Sequence, residues 1–216
     1  MNALRAVRWA AWGAVAVVGV LGLAAGGGWL VTDGPFGHDP VVADTGAGAK
    51  VPIGGSFAMT DHRSRAVTEH AFAGRPSLVF FGFTHCPDVC PTTLADAGRR
   101  LEALGSDADR LAVLFVTVDP ERDTPAQLAA YLEAFDPRIT GLTGTPAQLA
   151  AMAATWRAHY RKVPDERGGY TMDHTALTYL MDARGRFAGT IDPHESDEVA
   201  AAKLRGLLAR PGVGDA

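Results

Sequence analysis

The chain has 216 residues, with 20 basic and 24 acidic side chains and a formal net charge of −4. This charge gives no reason to expect nucleic-acid binding. About 160 residues in the patterned part of the chain are enough for one domain with one sizeable core. We therefore expect one folded domain, and its two cysteines and seven histidines are the first candidates for reactive or metal-binding residues.

The N-terminal segment carries no charge over residues 9–32. At about 1.5 Å rise per residue, a helix of this length spans roughly 34 Å, which is enough for a bilayer core. Arg5 and Arg8 precede the segment and Asp33 follows it, so the positive-inside rule places the N-terminus in the cytoplasm. We predict a single-pass inner-membrane anchor over residues 1–32 with the rest of the chain in the periplasm. A cleaved signal peptide is the alternative.

Residues 33–50 contain several glycines and prolines and few large apolar side chains. Such a segment cannot bury enough surface to fold, so a flexible tether is predicted. The folded domain is predicted over residues 51–210, with a short C-terminal tail over residues 211–216. Thiols in the periplasm tend to be oxidised, so a reduced cysteine pair there would need an external reductant.

The two cysteines, Cys86 and Cys90, directly follow an apolar run at residues 77–83 that predicts a buried strand. A helix is predicted at residues 92–104. Thiols at this junction would lie near helix N–H groups and the positive end of the helix dipole, so they would ionise more readily. Ionised thiols attack disulfides and bind soft metals. The three-residue gap is wider than the Cys-x-x-Cys spacing of redox exchange and suits holding an ion between two sulfurs.

The remaining elements are predicted from apolar runs, helix-start signals and a turn that contains glycine. They are a strand at 111–118, helices beginning at Thr124 and Thr145, a short strand at 158–163, a hairpin of 175–181 and 186–191, and a helix at 195–209. The same seven letters open both inner helices, which we interpret as a shared capping box rather than an internal repeat. This order predicts a thioredoxin-like α/β fold, with helices covering both faces of a mixed central sheet.

His174 is the histidine best placed for chemistry, because it directly precedes the first hairpin strand. In a thioredoxin-like sheet the start of that strand faces the dithiol loop, where an imidazole could act as a third ligand. His85 adjoins Cys86, but neighbours on an extended chain point to opposite sides, so only a tuning role is considered for it. Three other histidines are predicted to lie at the surface without a ligand role: His38, His62 and His70.

Four blocks of this sequence resemble the Sco/SenC family in their order and approximate spacing. They are Gly82–Leu94, Val118–Pro125, Gly141–Gly144 and Asp173–Ala176. The resemblance covers the whole predicted domain. It implies a thioredoxin-like copper protein that assists assembly of the binuclear copper centre of cytochrome c oxidase.

The same resemblance implies that copper is bound by Cys86, Cys90 and His174. The implied partner is the copper-bearing subunit of the oxidase. A periplasmic copper donor and a thiol reductant are further expected partners. Two soft thiolates favour Cu(I), and an added imidazole also accommodates Cu(II). Zinc could use the same three ligands, but raw affinity favours copper, and no carboxylate is obviously placed as the base of a zinc hydrolase.

Several neighbouring residues are left with two interpretations. Asp88 could tune the thiols, interact with a partner or only cap the helix. Asp173 could orient the His174 ring or lie in solvent. Met172 could be a soft ligand but is expected to be a core or surface thioether. The loop at residues 119–123 is expected to be solvated, with a partner-docking role open.

Three functions remain compatible with the sequence. The first is an anchored periplasmic copper chaperone. The second is a thiol–disulfide oxidoreductase that keeps the acceptor's cysteines reduced, and the third is a peroxidase or redox sensor on the same fold. A distal imidazole favours the metal-binding function, because dithiol exchange does not require one.

Overall fold

A mixed sheet of seven strands forms the centre of the computed structural model, which describes residues 52–165 and 168–210. Its strands have the order β2-β1-β5-β4-β3-β8-β9, and β6 and β7 form a separate two-stranded sheet. The strands are β1 (Ala58–Asp61), β2 (Ala66–Thr68), β3 (Ser77–Gly82), β4 (Ala112–Thr117), β5 (Ile139–Thr143), β6 (Tyr160–Pro164), β7 (Tyr170–His174), β8 (Thr178–Met181) and β9 (Phe187–Ile191).

Four α-helices flank the sheet. They are α1 (Val89–Leu104), α2 (Pro125–Leu132), α3 (Pro146–Trp156) and α4 (Asp197–Leu208). Short 3₁₀ helices lie at Glu69–Phe72, between β2 and β3, and at Gly105–Arg110, between α1 and β4. The architecture confirms the predicted mixed α/β class and is consistent with the thioredoxin-like arrangement. The predicted anchor and tether lie outside the described residues. Within residues 52–165 and 168–210, no helix is both long enough and apolar enough to cross a bilayer.

The apolar runs predicted as buried strands form the centre of the sheet. Strands β3 and β4 are parallel and buried along their whole lengths. Parallel strands covered on both faces read as continuous apolar runs, which is why these two were visible in the sequence. Phe81 and Phe115 are completely buried there, and each such side chain contributes about 1.5–3 kcal/mol by leaving water.

The two inner helices begin at the predicted caps. The Thr124 hydroxyl accepts a hydrogen bond from the N–H of Gln127 at 3.2 Å. At Thr145 the capping box is complete, because Gln148 donates its N–H to the threonine hydroxyl and its side-chain oxygen accepts from the Thr145 N–H. The repeated letters therefore encode a repeated helix start, as predicted.

The cysteine helix α1 begins three residues earlier than predicted, at Val89, so that Cys90 lies in its first turn. Strands β1, β2, β5 and β7 were not predicted. Each is short, and β2 and β7 carry mostly exposed or half-buried residues, so their sequences lack a continuous apolar run. These segments form strands because they pair with neighbouring strands, and the apolar pattern of their own sequences does not indicate it.

Gly82, the last residue of β3, lets the cysteine helix approach the sheet. A Cβ atom there would lie 2.8 Å from Cys90 Sγ and 2.7 Å from the Phe115 ring, closer than packed atoms tolerate. We predict that Gly82→Ala lowers the free energy of unfolding by about 1–3 kcal/mol through overpacking. Urea denaturation followed by circular dichroism measures this.

Gly98→Ala is the matched control, because Gly98 lies within α1 and a Cβ there would meet only an ordinary contact at 3.5 Å. That substitution should leave stability unchanged or raise it by up to about 1 kcal/mol through helix propensity. Equal effects of the two substitutions would contradict the close-packing explanation.

Candidate metal centre

The structure brings together the two cysteines and the distal histidine that the sequence singled out. The ligand atoms of Cys86, Cys90 and His174 all lie within 4.8 Å of one another. Cys90 Sγ lies 3.6 Å from Nε2 of His174. Both cysteines are free thiols, with Cys86 half-buried and Cys90 fully buried. Two sulfurs and one imidazole thus converge where the end of β3, the start of α1 and the end of β7 meet.

The pKa values of the two thiols shift in opposite directions because one thiol donates a hydrogen bond to the other. A hydrogen bond from the Cys90 thiol lowers the pKa of Cys86 to about 3, against the opposing effect of partial burial. The backbone N–H groups of Asp88 and Cys90 lower this pKa further. Donating that hydrogen bond, together with burial, raises the pKa of Cys90. Cys86 is therefore the thiolate of the pair.

The His174 ring is oriented with one nitrogen free to bind. Its Nδ1 lies 3.1 Å from the carbonyl oxygen of Thr175. A carbonyl can only accept, so Nδ1 carries the proton and Nε2 presents its lone pair toward Cys90. Phe80 and Phe83 contact the ring edge-on, at centroid distances of 6.2 and 5.7 Å. This backbone partner fixes the tautomer that a metal ligand needs.

The other residues considered near the site have no contact with the three ligand atoms that would indicate a role in metal binding. Met172 is buried in the core, as expected. Asp173 does not hydrogen-bond the His174 ring; it is half-exposed and accepts from Arg161 Nε at 2.8 Å. Asp88 occupies the cap position of α1, but its side chain makes no capping hydrogen bond. Capping by its carboxylate is thus ruled out.

Of the three histidines predicted at the surface, His38 lies outside the described residues and His70 is exposed. His62 is half-buried instead, and its Nδ1 accepts a hydrogen bond from the N–H of Gly141 at 3.1 Å. His85 is not among the grouped ligand atoms. Its ring is half-exposed and its Nδ1 lies 3.0 Å from the Thr84 hydroxyl.

The expectation of a solvated loop after β4 holds for Glu121, which is exposed, but is wrong for the two aspartates of the loop. Asp119 is 1% exposed and Asp123 is 0% exposed. The Asp123 carboxylate accepts hydrogen bonds from Thr84 N–H at 3.0 Å and from the hydroxyls of Thr84 and Thr117, each at 2.6 Å. The loop therefore supports the segment that leads into the cysteines.

Two tyrosines near the site, Tyr131 and Tyr170, were not predicted from the sequence. Burial, followed by the nearby cysteines and Asp123, raises the pKa of Tyr131, which places this phenol close to the thiols. Tyr170 begins the strand that ends at His174. Because strand side chains alternate, an aromatic residue four positions before His174 shares its face, and this spacing was the available signal.

An open groove of about 270 Å³ gives access to the site. Its lining includes Cys86, Met172 and His174. A larger cavity of about 500 Å³ is lined by other residues, among them Phe57, Phe72 and Trp156, and contains none of the three ligand candidates. Size alone would favour that larger cavity, but the convergent sulfur and nitrogen atoms favour the smaller groove as the chemical site.

We predict that Cys86 reacts with iodoacetamide at a nearly constant rate between about pH 5 and 8, because a pKa near 3 leaves it ionised throughout. Cys90, being buried, should stay unmodified until the protein unfolds. Mass spectrometry of quenched samples measures both rates, with Cys86→Ser as the control. A rate that climbs about tenfold per pH unit up to pH 8 would indicate an ordinary thiol and contradict the assignment.

Comparison with known proteins gives consistent matches. A family model described as SCO1/SenC matches residues 45–209. The mitochondrial protein SCO2 homolog of Bos taurus is 35% identical over 197 residues, covering 89% of this chain and 74% of that protein. Bradyrhizobium japonicum ScoI, solved with copper bound, is 50% identical with a TM-score of 0.67, covering 72% of this chain and 99% of that one. Yeast Sco1 with copper bound is 33% identical with a TM-score of 0.69, covering 76% and 92% respectively.

Proposed function

The chain belongs to the SCO1/SenC family, and on that premise we propose that it is a copper chaperone for assembly of the copper centre of cytochrome c oxidase. Copper is its cargo, held by Cys86, Cys90 and His174. The observation that carries the proposal is the convergence of these three ligand atoms within 4.8 Å beside an open groove. Relatives solved with copper bound support the choice of metal.

The proposed ligands suit a carrier. Two thiolates retain Cu(I), and the Nε2 of His174 adds the nitrogen that Cu(II) prefers. Three ligands leave a position open for an incoming thiolate of the acceptor, so that the ion exchanges ligands without being released into water. The groove beside Cys86 and His174 is where such a thiolate would enter.

The location of the protein is part of the same proposal. The uncharged segment at residues 9–32 would anchor the chain in the inner membrane, with the N-terminus in the cytoplasm. The domain at residues 51–210 would then lie in the periplasm, near the copper-bearing subunit of the oxidase. A copper donor and a thiol reductant would complete the cycle, because periplasmic thiols tend to be oxidised.

A thiol–disulfide oxidoreductase is the second candidate, favoured by the unequal cysteines. The Cys86 thiolate would attack a disulfide of the acceptor and form a mixed disulfide, releasing one acceptor thiolate. Cys90 would then lose its proton and attack Cys86, closing the Cys86–Cys90 disulfide and releasing the second acceptor thiol. A reductant of the dithiol class would restore the pair.

The acidity of Cys86 favours the first candidate. A dithiol with a strongly lowered thiol pKa is stabilised in its reduced form, which makes it a weak donor of electrons. The low pKa of Cys86 therefore opposes reduction of an acceptor and favours a pair that stays reduced to hold a metal. This acidity supports copper binding in addition to the convergence of the three ligand atoms.

We predict about one copper ion per chain, bound only when Cys86 and Cys90 are reduced, because a disulfide has no thiolate to donate. Metal analysis of the purified full-length protein, reduced or oxidised before loading, tests this. Cys86→Ser and Cys90→Ser should each lose most of the bound copper. Stoichiometric copper on the fully oxidised protein would refute the proposed site.

His174→Ala separates the two candidate functions. The chaperone hypothesis predicts that the remaining two sulfurs keep some Cu(I) but lose most stable Cu(II) binding and its thiolate–copper absorption. Oxidase activity in cells at limiting copper should then fall about as far as in the double cysteine mutant.

His85→Ala is the matched control for that experiment, since His85 adjoins Cys86 but lies outside the ligand group. It should retain near-normal oxidase activity. If His174→Ala also retained activity at equal protein levels while the cysteine variants had none, the oxidoreductase would be the better hypothesis.

A further inference from the structure

The strand that carries His174 is not part of the main sheet. Strand β7 pairs only with β6, and within the described residues this two-stranded sheet shares no ladder with the seven-stranded one. An isolated two-stranded hairpin is marginally stable in water. The position of His174 relative to the cysteines therefore depends on side chains that fasten the β6–β7 hairpin to the domain.

Arg122 makes several of the contacts that hold the hairpin against the domain. Its Nη1 donates a hydrogen bond of 3.0 Å to the carbonyl oxygen of Tyr170, the first residue of β7. Its guanidinium lies 3.8 Å from the centroid of the Tyr170 ring, and its Nε donates to the carboxylate of Asp119. The Tyr170 hydroxyl also donates to Asp119, at 2.9 Å. Asp119, Arg122 and Tyr170 thus form a closed group, which we call the hairpin clamp.

Burial gives the hairpin clamp its rigidity. The Asp119 side chain is fully buried, and a buried carboxylate is costly unless it is paired and hydrogen-bonded. Moving the hairpin away would remove the Tyr170 hydroxyl from Asp119 and the stacked ring from Arg122. A second, exposed contact joins the other strand to the same loop, because Lys162 Nζ in β6 lies 2.5 Å from a carboxylate oxygen of Glu121.

The same loop also supports the cysteine side of the site. Asp123, the residue after Arg122, accepts two hydrogen bonds from Thr84, which lies two positions before Cys86. The segment at residues 119–123 consequently contacts both the chain that leads into the cysteines and the strand that leads to His174. It fixes the cysteine loop through Asp123 and the histidine strand through Arg122.

We propose that Arg122 is a positioning residue for the metal centre, which sets the distance of His174 from the two sulfurs and thereby the affinity for Cu(II). This inference rests on the proposed copper function. Arg122 does not itself reach the ligands; it acts through Tyr170 and the strand that follows. Cu(I) held by the two thiolates depends much less on the hairpin, so the two oxidation states should respond differently.

The test is Arg122→Met in the full-length protein, purified in mild detergent and reduced before loading. We expect Cu(II) affinity to fall about 10- to 100-fold, as for loss of a residue that orients a ligand. The thiolate–copper absorption should weaken or shift. Cu(I) affinity, measured by competition with a chromophoric chelator, should change less than about threefold, because soft thiolates provide that site. Hydrogen exchange should speed up in β6 and β7 and stay unchanged in β3 and β4.

Arg186→Met is the matched control. Arg186 pairs in the same way with the buried carboxylate of Asp182, in the turn after β8 and at the opposite end of that strand from His174. Any general cost of removing a guanidinium from a buried aspartate appears in this variant too. Its Cu(II) affinity and absorption should match those of the unmodified protein.

Tyr170→Phe keeps the ring under Arg122 and removes only the hydroxyl, so it should weaken Cu(II) by a smaller factor of about three to ten. Unchanged Cu(II) binding in a folded Arg122→Met protein overturns the inference. If Arg122→Met does not fold, less than twofold weakening in Tyr170→Phe overturns it. Absence of copper binding by the unmodified protein would instead refute the proposed function, so the two failures are distinguishable.

Discussion

The hydrogen bonds that the buried carboxylate of Asp123 accepts hold the cysteine loop in place, and the geometry of the site depends on them. The carboxylate lies at the point where the ends of two central strands meet, and it accepts three hydrogen bonds from Thr84 and Thr117. Charged hydrogen bonds of this kind contribute about 1.5–3 kcal/mol each, which offsets the cost of removing the charge from water. Thr84 is thereby held at the end of β3, and the cysteine loop leaves the sheet in one direction.

Two other buried aspartates have a purely local role, and the comparison shows what is special about the loop at residues 119–123. Asp61 and Asp182 each accept from the N–H groups two and four residues later and from an arginine Nε. Both close a tight turn between adjacent strands. Asp119 and Asp123 instead bind residues 51 and 39 positions away, so they join separate parts of the fold.

This difference also explains what the sequence could predict. The turn at Asp182 was predicted from its glycine. The turn at Asp61 has the same Asp-x-Arg-x-Arg spacing but carries Ser64 in the left-handed position. Without a glycine to indicate that turn, the strands β1 and β2 on either side of it were not predicted. The cysteine pair was visible because a buried strand and a helix meet beside it. The contacts of Asp119 and Asp123 were not visible, because no local pattern records a partner across the fold.

The three ligand candidates are buried to different extents, and under the proposed copper function this difference distinguishes the ligands that retain the ion from the ligand at which exchange begins. Cys90 is fully buried in the first turn of α1. His174 moves only if the β6–β7 hairpin moves, and Cys86 is half-buried and lines the groove. An acceptor thiolate would therefore meet the ion on the Cys86 side first. Ligand exchange would then proceed from Cys86 toward Cys90, so that the most deeply buried sulfur releases the ion last.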